Sequence, residues 1–158
     1  MDLGLSEAEE EAAVALPTAS PLSEVVADYR ATGLSLRDHP MKFLRPALER
    51  MRVAKASDLA VLPVDRLVKV AGLTLMRQRP GTASGITFVT LEDETGFANL
   101  IVRPEIWDRY HHAARTATAM LAYGRLQRQE NVIHVLATRL ENLSHRIEDL
   151  GVSSRDFH

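Results

Sequence analysis

Apolar positions along this chain change period near residue 66, and the change separates a helical approach segment from a run of strands. Upstream, Phe43, Leu44, Leu48 and Met51 recur at helical spacing and predict a helix over 41–52. A shorter helix is expected over 23–30, with Ser23 as its N-cap and Gly33 beyond its end. The stretch 34–40 is not regular helix, because a proline pushes the residue before it to extended conformations. Ser57 caps a further short helix over 58–62, which Pro63 stops. Downstream, LVKVAGLTLMR alternates over 67–77 around Gly72, and glycine inside a strand marks a bulge where a barrel strand bends. Residues 78–85 read as a loop, 86–92 as a second strand, 93–96 as a turn and 97–103 as a third strand. Pro104 opens a helix over 105–115 that sets Ile106, Trp107, Tyr110, Ala113 and Ala114 on one side. Two more strands, 118–128 and 132–140, join through a short turn at Gln129, Glu130 and Asn131.

Three strands, one helix and two strands within about 75 residues is the order of an OB-fold, a Greek-key barrel with a helix plugging one end. The expected class is therefore mainly β: a five-stranded OB barrel with one inter-strand helix, preceded by short helices and a disordered N-terminal tail. The expected division is an acidic tail over 1–21, a short helical linker over 22–63, the barrel over 64–143 and a C-terminal tail over 144–158.

Charge changes this picture more than bulk composition does. Residues 1–29 carry seven acids and no Lys or Arg, so the remainder holds 14 acids against 19 bases, a net of +5 beneath an overall −2. Arginine dominates that excess, with only three lysines, Lys42, Lys55 and Lys69, and an arginine-rich body suits phosphate contact. Cysteine is absent, which excludes disulfides and thiolate zinc sites and accords with a reducing cytoplasm, the expected location. No run of eighteen apolar residues predicts a membrane helix, and the acidic N-terminus does not open as a secretory signal does.

The central sequence carries a resemblance. Arg77-Gln78-Arg79-Pro80-Gly81-Thr82-Ala83, the Leu91-Glu92-Asp93-Glu94-Thr95-Gly96 turn, Gly124-Arg125-Leu126-Gln127-Arg128 and the upstream GLSLRDHPM segment resemble the OB region of bacterial C-family DNA polymerase alpha subunits, in their error-prone, damage-inducible branch. The resemblance spans roughly 28–143. It implies a role in DNA replication across damage and single-stranded DNA as partner, with further polymerase or mutasome subunits as other partners. Polymerisation in that family rests on catalytic acids in a palm domain, and nothing here resembles a palm, a fingers domain or a metal-binding phosphoesterase-like domain. The chain is thus expected to be non-catalytic, without cofactor or metal, and either a fragment or a free-standing short relative.

Single-strand binders pair a basic groove with aromatic faces on which bases stack, and OB barrels place the strand across strands two and three between the first–second and fourth–fifth loops. If Val89 and Leu91 point inward, Phe88 projects onto that face, with Asn99 and Arg103 beside it; a shift of one residue would put Phe88 in the interior instead. Arg77 and Arg79 flank the first loop, and Arg125 and Arg128 lead into the second. These seven residues are the candidate nucleic-acid site, with solvated surface arginines as the alternative reading of the four loop positions. Glu92, Asp93 and Glu94 read as a hairpin corner with local capping bonds rather than a Mg²⁺ site. Trp107 reads as packing on the barrel, and Asp38-His39 as linker. A protein-docking barrel is the competing function, marked by a contiguous exposed patch of Ile86, Phe88 and Ile101.

Overall fold

The computed structural model describes residues 39–81 and 84–143. The expectations for the acidic tail, the helix over 23–30 and the C-terminal tail fall outside them. Five strands, β1 (Leu67–Gln78), β2 (Thr87–Asp93), β3 (Gly96–Val102), β4 (Ala119–Gln129) and β5 (Val132–Asn142), close into a barrel in the order β1-β2-β3-β5-β4. All neighbours are antiparallel except β3 and β5, which run parallel. This is the expected OB barrel.

Period-two alternation decides what fills it. Val89, Leu91, Leu100, Val102, Met120, Leu126 and Val135 point inward and are buried, while their sequence neighbours face outward. Two elements close the ends. After β3 come α2 (Pro104–Arg109) and α3 (His111–Thr116), with Ile106 and Ala114 in the core. The expected single helix is divided at Tyr110, where Tyr110, His111 and His112, all indifferent helix formers, follow one another. A 3₁₀ helix (Ala56–Ala60) packs near the start of β3 and adds Leu59 to the same core. Trp107 is half-buried against that core, as its spacing suggests.

Gly72 sits where β1 passes from β4 to β2. A β-carbon there would lie 2.7 Å from the Glu92 carbonyl oxygen, so the close approach of β2 requires glycine. The bulge itself comes later, between Thr74 and Met76. The β4–β5 hairpin turns through Glu130 and Asn131, both with positive φ (52° and 69°), as a two-residue turn matched to strand twist requires.

Upstream of the barrel, α1 (Pro40–Arg50) lies on the outside of β1 and β4. Met41, Leu44 and Leu48 are fully buried against Ala71, Leu73, Ala119 and Leu121, each worth about 1.5–3 kcal/mol. His39 is its N-cap, Pro40 stands in the first turn, and Pro46 is tolerated within it on the exposed side. Covering β1 and β4 leaves the outer face of β2, β3 and β5 as the open side of the barrel. Among the described residues no helix is long and apolar enough to cross a membrane.

Candidate nucleic-acid interface

Strand register brings one outward row together across the open face. Gln78 pairs with Phe88, Phe88 with Ile101, Ile101 with Leu136, Leu136 with Arg125, and Arg125 with Leu67. Phe88, Ile101 and Leu136 form a half-buried apolar ridge, with exposed polar or charged residues at both ends. Phe88 therefore faces outward, because Val89 and Leu91 occupy the interior. In the next row Thr90 pairs with Asn99, and the Thr90 hydroxyl lies 3.3 Å from the Asn99 side-chain oxygen.

The candidate arginines divide by what they hold. Arg77 is bound to the barrel: its Nε and Nη2 donate to the carbonyls of Ala114 and Ala117 at 2.6 and 2.7 Å, fastening the end of α3. Arg79 bonds the Thr87 hydroxyl at 3.0 Å and lies 5.3 Å over the Trp107 ring, which holds its guanidinium at the barrel end where β2 begins. Arg103 caps α2 and meets Glu105 at 3.6 Å, an exposed pair of little strength. Arg125 and Arg128 each give one donor to a backbone carbonyl, of Asp65 and Ala60, and keep the rest of their donor set turned to solvent. The structure thus brings Phe88, Asn99, Arg103 and Arg125 to one open face and Arg128 to its fourth–fifth edge, with Arg79 at the barrel end beside Thr87 and Trp107 and Arg77 engaged in the barrel.

The acids at the β2–β3 turn form a clasp that holds α1 in place. Asp93 accepts from Thr95 N, Thr95 Oγ1 and Gly96 N, the local capping expected of a hairpin corner. Its other oxygen accepts from Ala56 N at 2.8 Å and Arg45 Nη2 at 3.2 Å. Arg45 grips Glu94 through two bonds, Nε–Oε2 at 2.7 Å and Nη2–Oε1 at 3.0 Å. Burial opposes the Arg45 charge, but the bond and charge of Glu94, with Asp93 behind, outweigh it and hold the guanidinium above its ordinary value. Burial likewise opposes the Glu94 carboxylate, and the Arg45 bond and charge reverse this and hold it below its ordinary value. Arg45 and His39 carry no local sequence signal, because their partners lie about fifty residues downstream.

His39, expected in a linker, is wholly buried. Its Nδ1 accepts from Met41 N at 3.1 Å, which leaves Nε2–H to donate to Glu92 at 3.0 Å, so the neutral ring satisfies both bonds. Burial pushes the imidazole below its ordinary value, against the opposing pull of Glu92, Glu94 and Asp93. The unfolded chain then binds more protons than the folded one below about pH 6.5, so stability falls as pH drops through that value. Urea unfolding at several pH values is expected to show this loss in the parent chain. In His39→Asn, where a short amide keeps the helix cap, the loss is expected to be much reduced. Identical pH slopes in the two proteins would remove His39 as its source.

Comparison with known proteins agrees with the barrel fold. Residues 68–143 match the family described as the OB-fold nucleic acid binding domain. An error-prone DNA polymerase of Rhodopirellula baltica is 50% identical over 138 residues, 87% of this chain and 12% of that protein. One from Anaeromyxobacter dehalogenans is 46% identical over 157 residues, 99% of this chain and 14% of that protein. One from an Azoarcus species is 48% identical over 148 residues, 94% of this chain and 14% of that protein. The chain therefore spans only 12–14% of the length of these relatives. Residues 68–143 thus match the OB-fold nucleic acid binding domain family, and the chain is similar to a segment of bacterial error-prone DNA polymerases.

Proposed function

We propose that the open face of β2, β3 and β5 binds single-stranded DNA without sequence readout, as a non-catalytic cytoplasmic module that guides template during synthesis across damage. The observation that carries this reading is the ridge of Phe88, Ile101 and Leu136, which ends at Arg125 on β4, with Arg103 just beyond β3 and Arg79 where β2 begins. The patch expected of a docking barrel, Ile86, Phe88 and Ile101 exposed together, is only half-exposed at all three positions, and the nearby arginines favour a phosphate-bearing partner. Phe88 supplies the stacking surface, Asn99 a polar contact to base or sugar, and Arg79, Arg103, Arg125 and Arg128 the phosphate contacts. Arg77 contributes from behind, by holding α3. The non-catalytic reading is supported by the employment of the 92–94 acids: Glu92 bonds His39, and Asp93 and Glu94 bond Arg45. The likeness to error-prone polymerases supports the choice of DNA and of the damage-related setting.

Fluorescence anisotropy with a labelled oligonucleotide, at several salt concentrations, tests the reading. Each phosphate contact contributes roughly −0.7 to the log–log salt slope, so Arg79→Ala with Arg103→Ala should flatten it by about 1.4 for every sequence alike. Phe88→Ala should cost about 1–3 kcal/mol of affinity with the slope unchanged, because stacking displaces no counterion. Thermal melts run beside both separate lost contacts from lost fold. Parent protein that shows no salt-dependent binding even at low ionic strength would leave protein docking as the better reading.

A further inference from the structure

Beside the 3₁₀ helix and the start of β1 lies a groove of about 430 Å³. Arg52, Arg66 and Lys69 line it, together with Asp58 and the apolar side chains of Val61 and Leu67. Val61 is 81% and Leu67 68% exposed, the two most exposed large apolar side chains among the described residues. Lys69 is partly engaged, donating to the Met51 carbonyl at 2.9 Å. Arg52 and Arg66 have no side-chain partner among the described residues. The single acid, Asp58, accepts from Lys55 N at 3.1 Å and so is already in use.

Two further facts bear on the groove. Leu67 is the last member of the outward row that begins at Gln78 and runs through Phe88, Ile101, Leu136 and Arg125. The ridge and the groove are therefore one continuous surface, and the four strand-to-strand steps from Phe88 to Leu67 cover about 19 Å. Arg52 also holds a left-handed backbone (φ 64°) just beyond the end of α1, where glycine would end the helix without strain. An arginine at such a position is unfavourable for the backbone alone, and its side chain lines the groove.

We infer that the nucleic-acid track continues past the sheet, over β5 and β4, into this groove, where Arg52 and Arg66 take a further phosphate and Leu67 and Val61 meet a base. The inference rests on the single-strand reading above and extends it to a second subsite on the opposite side of Arg125. Cations above an apolar floor match a nucleotide, which joins an anion to a flat, weakly polar ring. Arg125 stands between the two subsites and reaches the strand as it crosses.

The test compares the 158-residue chain with a double variant, Arg52→Gly with Arg66→Ala, on two labelled oligothymidylates. One has about four nucleotides, the lower limit of an OB site, and the other about twelve. The double variant should bind the longer strand several-fold more weakly, with a salt slope flatter by about 0.7, the share of the one phosphate lost. It should bind the shorter one like the parent. Its melting temperature should not fall, since glycine relieves the left-handed strain at 52, so loss of binding is not loss of fold. Parent-like affinity and slope for the longer strand, while Phe88→Ala weakens both lengths, would end the track at the sheet and leave the first subsite standing. Equal loss on both lengths would make the two arginines a general attraction and overturn the second subsite. A parent chain that binds neither strand would overturn both readings.

Discussion

Arg45→Ala is expected to cost about 3–5 kcal/mol of stability, the usual penalty for removing one member of a buried, hydrogen-bonded charge group. Its side chain is 8% exposed, and its partners Asp93 and Glu94 are 2% and 12% exposed. Alanine would leave the Glu94 carboxylate without its two bonds and Asp93 without one of five. It would also release α1 from the β2–β3 turn. Since small domains are stable by only about 5–15 kcal/mol, such a loss shows directly in the urea midpoint. The pH dependence gives a second readout. Arg45 holds the Glu94 carboxyl below its ordinary value, so this part of the stability is present above the ordinary carboxylate range and is lost as pH falls through the lowered folded value. In Arg45→Ala that acid limb should be largely gone, and the gap between variant and parent should narrow as pH falls below the ordinary carboxylate range. A variant as stable as the parent at neutral pH would mean that the clasp does not hold α1.

This clasp also marks the limit of what the sequence discloses. The barrel was legible because its signal is local: alternation in FVTLED and ANLIV puts Val89, Leu91, Leu100 and Val102 on one side whatever the rest of the chain does. Which side lies inward the sequence left open, and with it the place of Phe88; the burial of Val89 and Leu91 decides it. His39 and Arg45 were illegible for the opposite reason. A histidine before a proline looks like linker, and an arginine on a helix looks solvated, until partners about fifty residues away arrive beside them. Arg77 and Arg79 show the same boundary at closer range. Two residues apart in one strand-end sequence, they read alike as loop arginines, yet one binds carbonyls of α3 and the other lies on Trp107. Side-chain direction at a barrel rim depends on closure, which no window of sequence contains. The continuity of the ridge with the Arg52 and Arg66 groove is likewise a product of closure, since it needs β3 to meet β5, β5 to pair with β4 and β4 to pair with β1.

Gly124→Ala should destabilise the barrel and, by the same displacement, spoil the binding face. A β-carbon at 124 would run into the carbonyl of Leu136 and would stand 2.7 Å from Val135 Cγ1. The first obstacle is backbone of the neighbouring strand, which cannot rotate aside as the end of a side chain can. Overpacking of this kind costs about 1–3 kcal/mol, and a backbone obstacle places the expectation at the upper end. Since β5 must yield, Leu136 moves with it. Leu136 joins Ile101 to Arg125 in the outward row, so single-strand affinity should fall in protein that remains folded. Gly81→Ala supplies the contrast. No described atom lies within 4 Å of a β-carbon there, and the backbone is not left-handed, so that change should be neutral or stabilising by about 0.4–1 kcal/mol through the unfolded chain. Thermal melts and anisotropy on the two variants, side by side, decide the matter. If Gly124→Ala melts with Gly81→Ala and binds as tightly, β4 and β5 are not packed as closely at that point as their pairing requires.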